Sequence, residues 1–400
     1  MKTAFWLYLF LFVAFFDLHA QYPMLTPFAV SLGAAPSFIG LMMGMYALTH
    51  LPGNLLAGYG VDRLGSRLFI AASLVAVGVL LVFQARVTDP WQLLAVRSVS
   101  GFAIAFLSPA CLSLLGRLAR DRIMQGKLMA VNGLVHTVAS VVSPAAGAWL
   151  AAHLGFAKTF AALGWVLIAT GLLSLWLVAD SPPRRTAEPT ASGPAAALPA
   201  ADAASAADAP SGGFPWSVLL LPLSLACAQG ILAFELPFKA GGEVHDAMHT
   251  GWLFTLVSLG ALTTLSLLAL QRLPPYMRTA AGAAAMALCF WMLASRPLAG
   301  ALPVLLFLLG MAKGVALPAM NTFLMQLSEA SRYGRTFSAL SIAVSVGAFL
   351  GPLAAGLVRN HISPYFFAFL VIMLALLALT PRPSLISGRG GRPTVPPSGA

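Results

Sequence analysis

Four ionisable residues stand inside long apolar stretches of the chain: Asp17, Arg97, Glu235 and Lys313. A charge at the centre of a membrane-spanning helix costs about 2.5–3.5 kcal/mol or more, so such residues are kept for function or for a buried pair. A carboxyl group in that setting can alternate between charged and neutral forms. Asp17 is therefore the first candidate proton carrier and Glu235 the second. Arg97 can hold a nearby acid in its charged form in one arrangement and release it in another. Lys313 and Arg97 together suit an anionic group on a ligand, such as a carboxylate. Two acids and two bases do not favour a purely cationic ligand; a zwitterion, an organic acid or an amphipathic molecule fits. The plainer alternatives are a structural ion pair for Asp17 and Lys313, and interfacial snorkelling for Glu235. Asn132 and His136, four residues apart, can face the same ligand or hydrogen-bond between helices.

Such residues need a scaffold that holds them in hydrocarbon. Of the 400 residues, 59% are hydrophobic and 9% charged, against about 25% charged in a soluble domain. There is too little polar surface to wrap a soluble core of this size. Apolar runs long enough to cross about 30 Å as helices recur at 5–27, 38–60, 68–87, 91–116, 126–152, 156–178, 215–238, 250–270, 276–296, 300–327, 335–358 and 363–380. The expected fold class is all-α, a polytopic membrane protein of twelve transmembrane helices. The first run resembles a signal sequence, with Lys2 ahead of it and "LHAQ" near its end. Asp17 lies within it and the apolar character continues past it, so an uncleaved first helix is expected.

The net charge of +11 is topogenic in a chain of this kind, and no nucleic-acid partner is expected. If the twelve spans alternate, only Arg86, Lys158, Lys239, Arg296 and Arg359 fall on one side. Arg97 and Lys313 lie within spans, and the rest of the 23 Lys and Arg share the side of the termini. The positive-inside rule makes that side cytoplasmic. The expected location is a cell inner membrane, multi-pass, with both termini cytoplasmic. The three cysteines, Cys111, Cys227 and Cys289, have no metal-ligand spacing and read as packing residues.

The expected organisation is an N-terminal six-helix half (1–179), a flexible cytoplasmic linker rich in Ala, Pro and Ser (180–214), a C-terminal six-helix half (215–380) and a disordered cytoplasmic tail (381–400). The halves look related. Gly126 and Gly334 are each followed by a basic residue, and by Pro144 and Pro352 eighteen residues on. Gly101 and Pro109 answer to Gly310 and Pro318, 209 residues away. "DRLG" at 62–65 is echoed by "QRLP" at 271–274, also 209 residues away. Two related six-helix halves in parallel orientation form a bundle with a central cavity.

The stretch "GYGVDRLGSR" (58–67) concentrates charge and glycine between the second and third runs. Gly65 permits the tight turn so short a loop needs. Asp62 could accept hydrogen bonds from a helix N-terminus across the two halves, making a contact that breaks in another conformation. The simpler role is a topological anchor. Its pattern resembles the loop signature G-x-x-x-D-R-x-G-x-R of the major facilitator superfamily (MFS) of secondary transporters, matched at Gly58, Asp62, Arg63, Gly65 and Arg67. "RSVSGFAIA" (97–105) resembles that family's fourth-helix signature. "ASVVSPAAGA" (139–148) resembles the fifth-helix signature of its exporters; Pro144 and Gly147 are kept, with Ala139, Ser143 and Ala148 in place of glycines. Gly351 and Pro352 are the second-half counterparts of this packing motif.

The resemblance implies a proton-coupled transporter working by alternating access, an antiporter similar to drug and metabolite exporters, with protons, the lipid bilayer and a small-molecule substrate as partners. A drug, metabolite or metallophore, zwitterionic or amphipathic, is the implied cargo, bound by Lys313, Arg97, Asn132 and His136. Proton coupling would fall to Asp17, Glu235 and Arg97, and gating to the loop motif. The alternatives are an importer of a small organic anion or lysophospholipid, and a non-transporting membrane sensor or enzyme. No nucleotide loop, dinucleotide fingerprint or catalytic triad is legible, so an enzyme is not expected, no cofactor is implied and the chain is expected to act as a monomer. His245 and His249, in "EVHDAMH", have a spacing that suits a metal only on a helix, and no metal site is assigned to them.

Overall fold

A computed structural model describes residues 2–119, 121–178, 216–239, 244–267, 273–295, 299–328 and 333–379. The expected linker and tail, at 180–214 and 381–400, lie outside the described residues, as does Gln271. Among the described residues every regular element is helical: α1 (Lys2–Ala20), α2 (Tyr22–Ser31), α3 (Pro36–Leu64), α4 (Ser66–Gln84), α5 (Pro90–Ile104), α6 (Leu107–Leu118), α7 (Arg122–Leu154), α8 (Phe156–Leu177), α9 (Leu220–Lys239), α10 (Val244–Ser266), α11 (Pro275–Ala294), α12 (Leu302–Gln326), α13 (Tyr333–Val358) and α14 (Pro364–Leu377), with short 3-10 turns at Trp216–Leu219 and Ala299–Ala301. Among the described residues nine helical segments are long and apolar enough to cross a membrane, and Pro364–Leu377 is a shorter apolar helix. In lipid a helix satisfies its own backbone, which is why this apolar chain folds this way.

Local chemistry sets the helix ends. Pro36, Pro90, Pro275 and Pro364 open their helices, where a missing N–H costs nothing. Asp89 and Asp121 cap theirs by accepting from the Trp91 and Met124 amides at 2.7 and 2.6 Å. Gly65 joins α3 to α4 at φ 88°, a left-handed conformation that only glycine adopts cheaply. Two expected spans are interrupted. The run 5–27 breaks at Gln21, because Pro23 cannot donate to the carbonyl of His19. The run 91–116 breaks at Ala105–Phe106, because Pro109 cannot donate to Ala105. Reading α1 with α2 and α5 with α6, the helices fall into twelve successive segments.

Packing repeats within the chain. In the first half α1 packs on α7, α3 on α5 and α4 on α8; in the second α9 packs on α13, α10 on α12 and α11 on α14. These are the same three pairings, first with fifth, second with fourth and third with sixth. The halves meet along α3–α13 and α7–α10. The first seam is close because it lacks side chains: a Cβ on Gly40 would collide with the Pro352 carbonyl, and one on Gly356 with the Pro36 carbonyl. On the second seam Gly251 sits against Pro144 and Ala148, and Thr255 donates across it to the Val141 carbonyl at 2.9 Å.

Both sets of contacts lie toward the end remote from the N-terminus. There α2 also packs on α9 and α10, whereas α1 and α6 pack mainly within their own half. Among the described residues the two halves are therefore joined chiefly at the α2 end, with less packing between them toward the end where α1 begins. Exposed tryptophans stand near the helix ends at Trp176 and Trp216 on the side where α1 begins and at Trp91, Trp149, Trp252 and Trp291 on the α2 side, with Trp165 exposed midway along α8; aromatic residues are enriched at membrane interfaces.

Candidate functional site

The interruption at Gln21 turns that side chain into the first half's interior, where it forms the centre of a buried polar network. Its Nε2 donates to both Asp17 oxygens at 3.0 Å. Its Oε1 accepts from Arg97 Nη1 at 2.8 Å. The amide can sit only this way round, because a carboxylate only accepts and a guanidinium only donates. Gln84, at the end of α4, donates to the same Oε1 at 3.5 Å. The Arg97 guanidinium lies over the Tyr46 ring of α3, 4.3 Å from its centre, a cation–π contact that partly replaces lost water. Asp17, Gln21, Gln84 and Arg97 are all nearly inaccessible. Arg97 Nε makes no hydrogen bond in this site. The network thus joins α1, α3, α4 and α5 at the point where the first segment breaks.

Glu235 is not part of it. It lies near the C-terminal end of α9, 3.6 Å from Arg359, which directly follows α13. The Arg359 guanidinium stacks over Phe238 at 3.8 Å, and the buried Tyr365 of α14 stands within electrostatic reach of both charged groups. Arg359, expected to mark only the outer side, is the partner of Glu235. The structure therefore separates the two expected proton carriers, one in each half.

A third group faces the space between the halves. His19 Nδ1 is 2.7 Å from the Phe15 carbonyl, which fixes Nδ1 as the donor and leaves Nε2 free. The His136 ring of α7 packs edge-on against Phe15, with centroids 4.6 Å apart, and against His19 at 5.2 Å. Lys313 of α12, from the other half, lies within Coulombic range of both imidazoles. His136 is exposed and Lys313 half-buried. Tyr22, edge-on to His19 at 5.5 Å, reaches Phe254 of α10 at 5.8 Å and continues the wall aromatically. Asn132, one turn from His136, is buried with no partner for its Oδ1.

Of the four residues expected to hold a ligand, His136 and Lys313 lie within electrostatic range of each other. Arg97 instead belongs to the Gln21 network. Gln21, Gln84, Tyr46 and His19 were not singled out from the sequence. Gln21 had a signal, since it stands four residues after Asp17 and so on the same helical face. His19, two residues from Asp17, points about 200° away from it, which is why the two serve different groups.

The loop motif is described in part. Arg67 donates to the Leu175 carbonyl near the end of α8, a favourable place for a cation. The α3 backbone runs through Asp62 and Arg63 to Leu64; the side chains of Asp62 and Arg63, and Gly58, lie outside the described residues, and with them the expected latch. The packing motif lies at crossings: Gly147 against Ala20, Gly351 against Cys227, and Pro352 against Gly40 and Gly230. Among the described residues no three His, Cys, Asp or Glu side chains converge as a metal site; the side chains of His245 and Asp246 lie outside them.

Residues 7–301 match the model of the family described as Major Facilitator Superfamily. Over 146 residues the chain is 27% identical to the membrane sensor protein UhpC of Salmonella typhimurium LT2, covering 36% of this chain and 33% of that one. Over 157 residues it is 29% identical to the multidrug resistance protein MdtG of Citrobacter koseri, covering 38% of each. The matches span little more than a third of these curated relatives. Among solved structures, the human organic anion transporter MFSD10 (TETRAN) superposes with a TM-score of 0.65 at 18% identity, covering 95% of this chain and 99% of that one. A bacterial homologue of the human lysosomal transporter Spinster, in an inward-facing and occupied conformation, gives 0.72 at 16% identity over 94% and 93%. At these identities the likeness is one of fold.

Proposed function

This chain belongs to the major facilitator superfamily, and from that premise we propose that it is a proton-coupled secondary transporter of the inner membrane. It works by alternating access and exports a small zwitterionic or amphipathic molecule. The similarity to a multidrug resistance protein supports export. Among the described residues the halves pack on each other chiefly at the end opposite the side that the positive-inside rule assigns to the cytoplasm, which suits a conformation that receives cargo from inside.

The observation that carries the coupling is the chain Asp17, Gln21, Arg97. With Asp17 charged, both its oxygens accept from Gln21, and Gln21 holds Arg97 by its own oxygen. A proton on Asp17 turns one of those oxygens into a donor. The other oxygen still accepts from Gln21, but the network now holds the Arg97 cation without a counter-charge. Because a buried guanidinium cannot stay unpaired cheaply, α5 shifts relative to α1 at the interruption in the first segment. Protonation thereby becomes movement. Glu235, already paired with Arg359, has a secondary part. The domain limits 1–179 and 215–380, a monomeric state and cytoplasmic termini complete the proposal.

The test is flux in proteoliposomes under an imposed pH gradient, using a cargo identified by metabolite profiling. Gradient-driven flux is expected in the wild type and not in Asp17→Asn; equal flux in both would refute the coupling. The similarity to a membrane sensor protein favours one other reading, a chain that binds without transporting. A complete absence of flux with retained binding would establish it.

A further inference from the structure

We propose that Lys313, His136 and His19 form the seat of a single anionic group, and that the cargo carries this group on an apolar, partly aromatic body. The inference rests on the reading of the chain as a transporter whose cargo lies between the halves.

Asp17 and Arg97 satisfy one another through Gln21. Glu235 is paired with Arg359. Lys313 makes no hydrogen bond and no ion pair among the described residues. An ammonium without a counter-charge near the middle of a membrane is costly, and protein interiors keep buried charges paired. The missing charge is one negative unit, and its place is the space that Lys313 faces.

The neighbours of Lys313 are built for the same occupant. His136 makes no hydrogen bond among the described residues, so both its ring nitrogens are free. His19, with Nδ1 held by Phe15, presents Nε2, which donates once the ring is protonated. An anion beside the rings favours that form. Two imidazoles with centroids 5.2 Å apart could also suggest a metal cation, but the Lys313 ammonium repels one, and no third ligand converges among the described residues. The wall beyond is apolar and aromatic: Phe15, Tyr22 and Phe254. A small inorganic anion would leave that wall unfilled, whereas an amphipathic monoanion covers it.

The experiment is a thermal-shift comparison of the purified full-length protein in lipid nanodiscs, with no gradient. The probes are octanoate, octanamide and octylammonium, and 1-naphthylacetate, 1-naphthylacetamide and 1-naphthylmethylammonium. A ligand that binds only the folded state raises Tm, here by roughly a few degrees. At least one carboxylate is expected to raise it more than its matched amide and amine in the wild type. That difference should vanish in Lys313→Met, persist in Lys313→Arg and shrink in His136→Phe. Lys313→Met places an apolar side chain of similar length in an apolar helix, and His136→Phe provides the reading if that protein does not fold. The inference is overturned if no carboxylate is preferred, or if the preference survives in every Lys313→Met and His136→Phe protein that folds. Asp17→Asn should keep the preference. Loss of proton-driven flux without loss of this preference leaves the anion seat standing, and the converse leaves the coupling standing, so the two readings fail separately.

Discussion

Asp17 and Arg97 are joined through Gln21 and make no direct ion pair. The Gln21 amide donates to the carboxylate at 3.0 Å and accepts from the guanidinium at 2.8 Å. A neutral go-between matters because an amide can reverse its donor and acceptor ends, which neither charged group can do. The connection can therefore switch without either charge leaving the interior.

Gln21→Met removes the go-between and leaves two buried charges poorly paired. A loss of about 3–5 kcal/mol is expected, visible as a lower Tm in nanodiscs. Gln21→Glu keeps an acceptor for Arg97 and should fold, yet it sets a second carboxyl group against Asp17, so that the two share a proton, and proton-driven flux should be lost. A Gln21→Glu protein with wild-type flux would show that the amide has no role.

Glu235 and Arg359 are separated by 124 residues in sequence and 3.6 Å in space. Glu235→Gln is expected to lower stability by about 1–3 kcal/mol, since it strips a largely buried arginine of its counter-charge. Glu235→Gln with Arg359→Met should cost less than the two single changes added together. A thermal double-mutant cycle measures this, and simple additivity would deny the coupling.

The seam between the halves depends on Gly40, whose missing side chain admits the Pro352 carbonyl. Gly40→Leu should prevent closure at the α2 end and favour the opposite opening. Spin labels at Ser31 and Met248, on α2 and α10, should move to longer distances in double electron–electron resonance. An unchanged distance distribution would mean the seam tolerates the side chain.

The legibility of these features follows the cost of charge. Asp17, Arg97, Glu235 and Lys313 stand out because nothing else in a membrane helix is so expensive, and the twelve apolar runs stand out for the same reason. Gln21 and His19 were quieter. An uncharged amide or imidazole in an apolar run costs less, and its meaning depends on which face of the helix meets which neighbour. Gln84 carried no sequence signal at all, because it matters only where the end of α4 meets the break in the first segment. Pro23 and Pro109 could have marked the two interruptions. The pairing of Glu235 with Arg359 could not be read, since it depends on how α9 and α13 pack.

The most direct test of proton-coupled export through Asp17 is metabolite profiling of cytosol and medium from a strain lacking this protein, complemented with wild type or Asp17→Asn. In the deletion strain one compound is expected to accumulate inside and disappear from the medium, with its export restored by the wild type and not by Asp17→Asn. Full restoration by Asp17→Asn would contradict it, as would a compound depleted from the cytosol of the deletion strain.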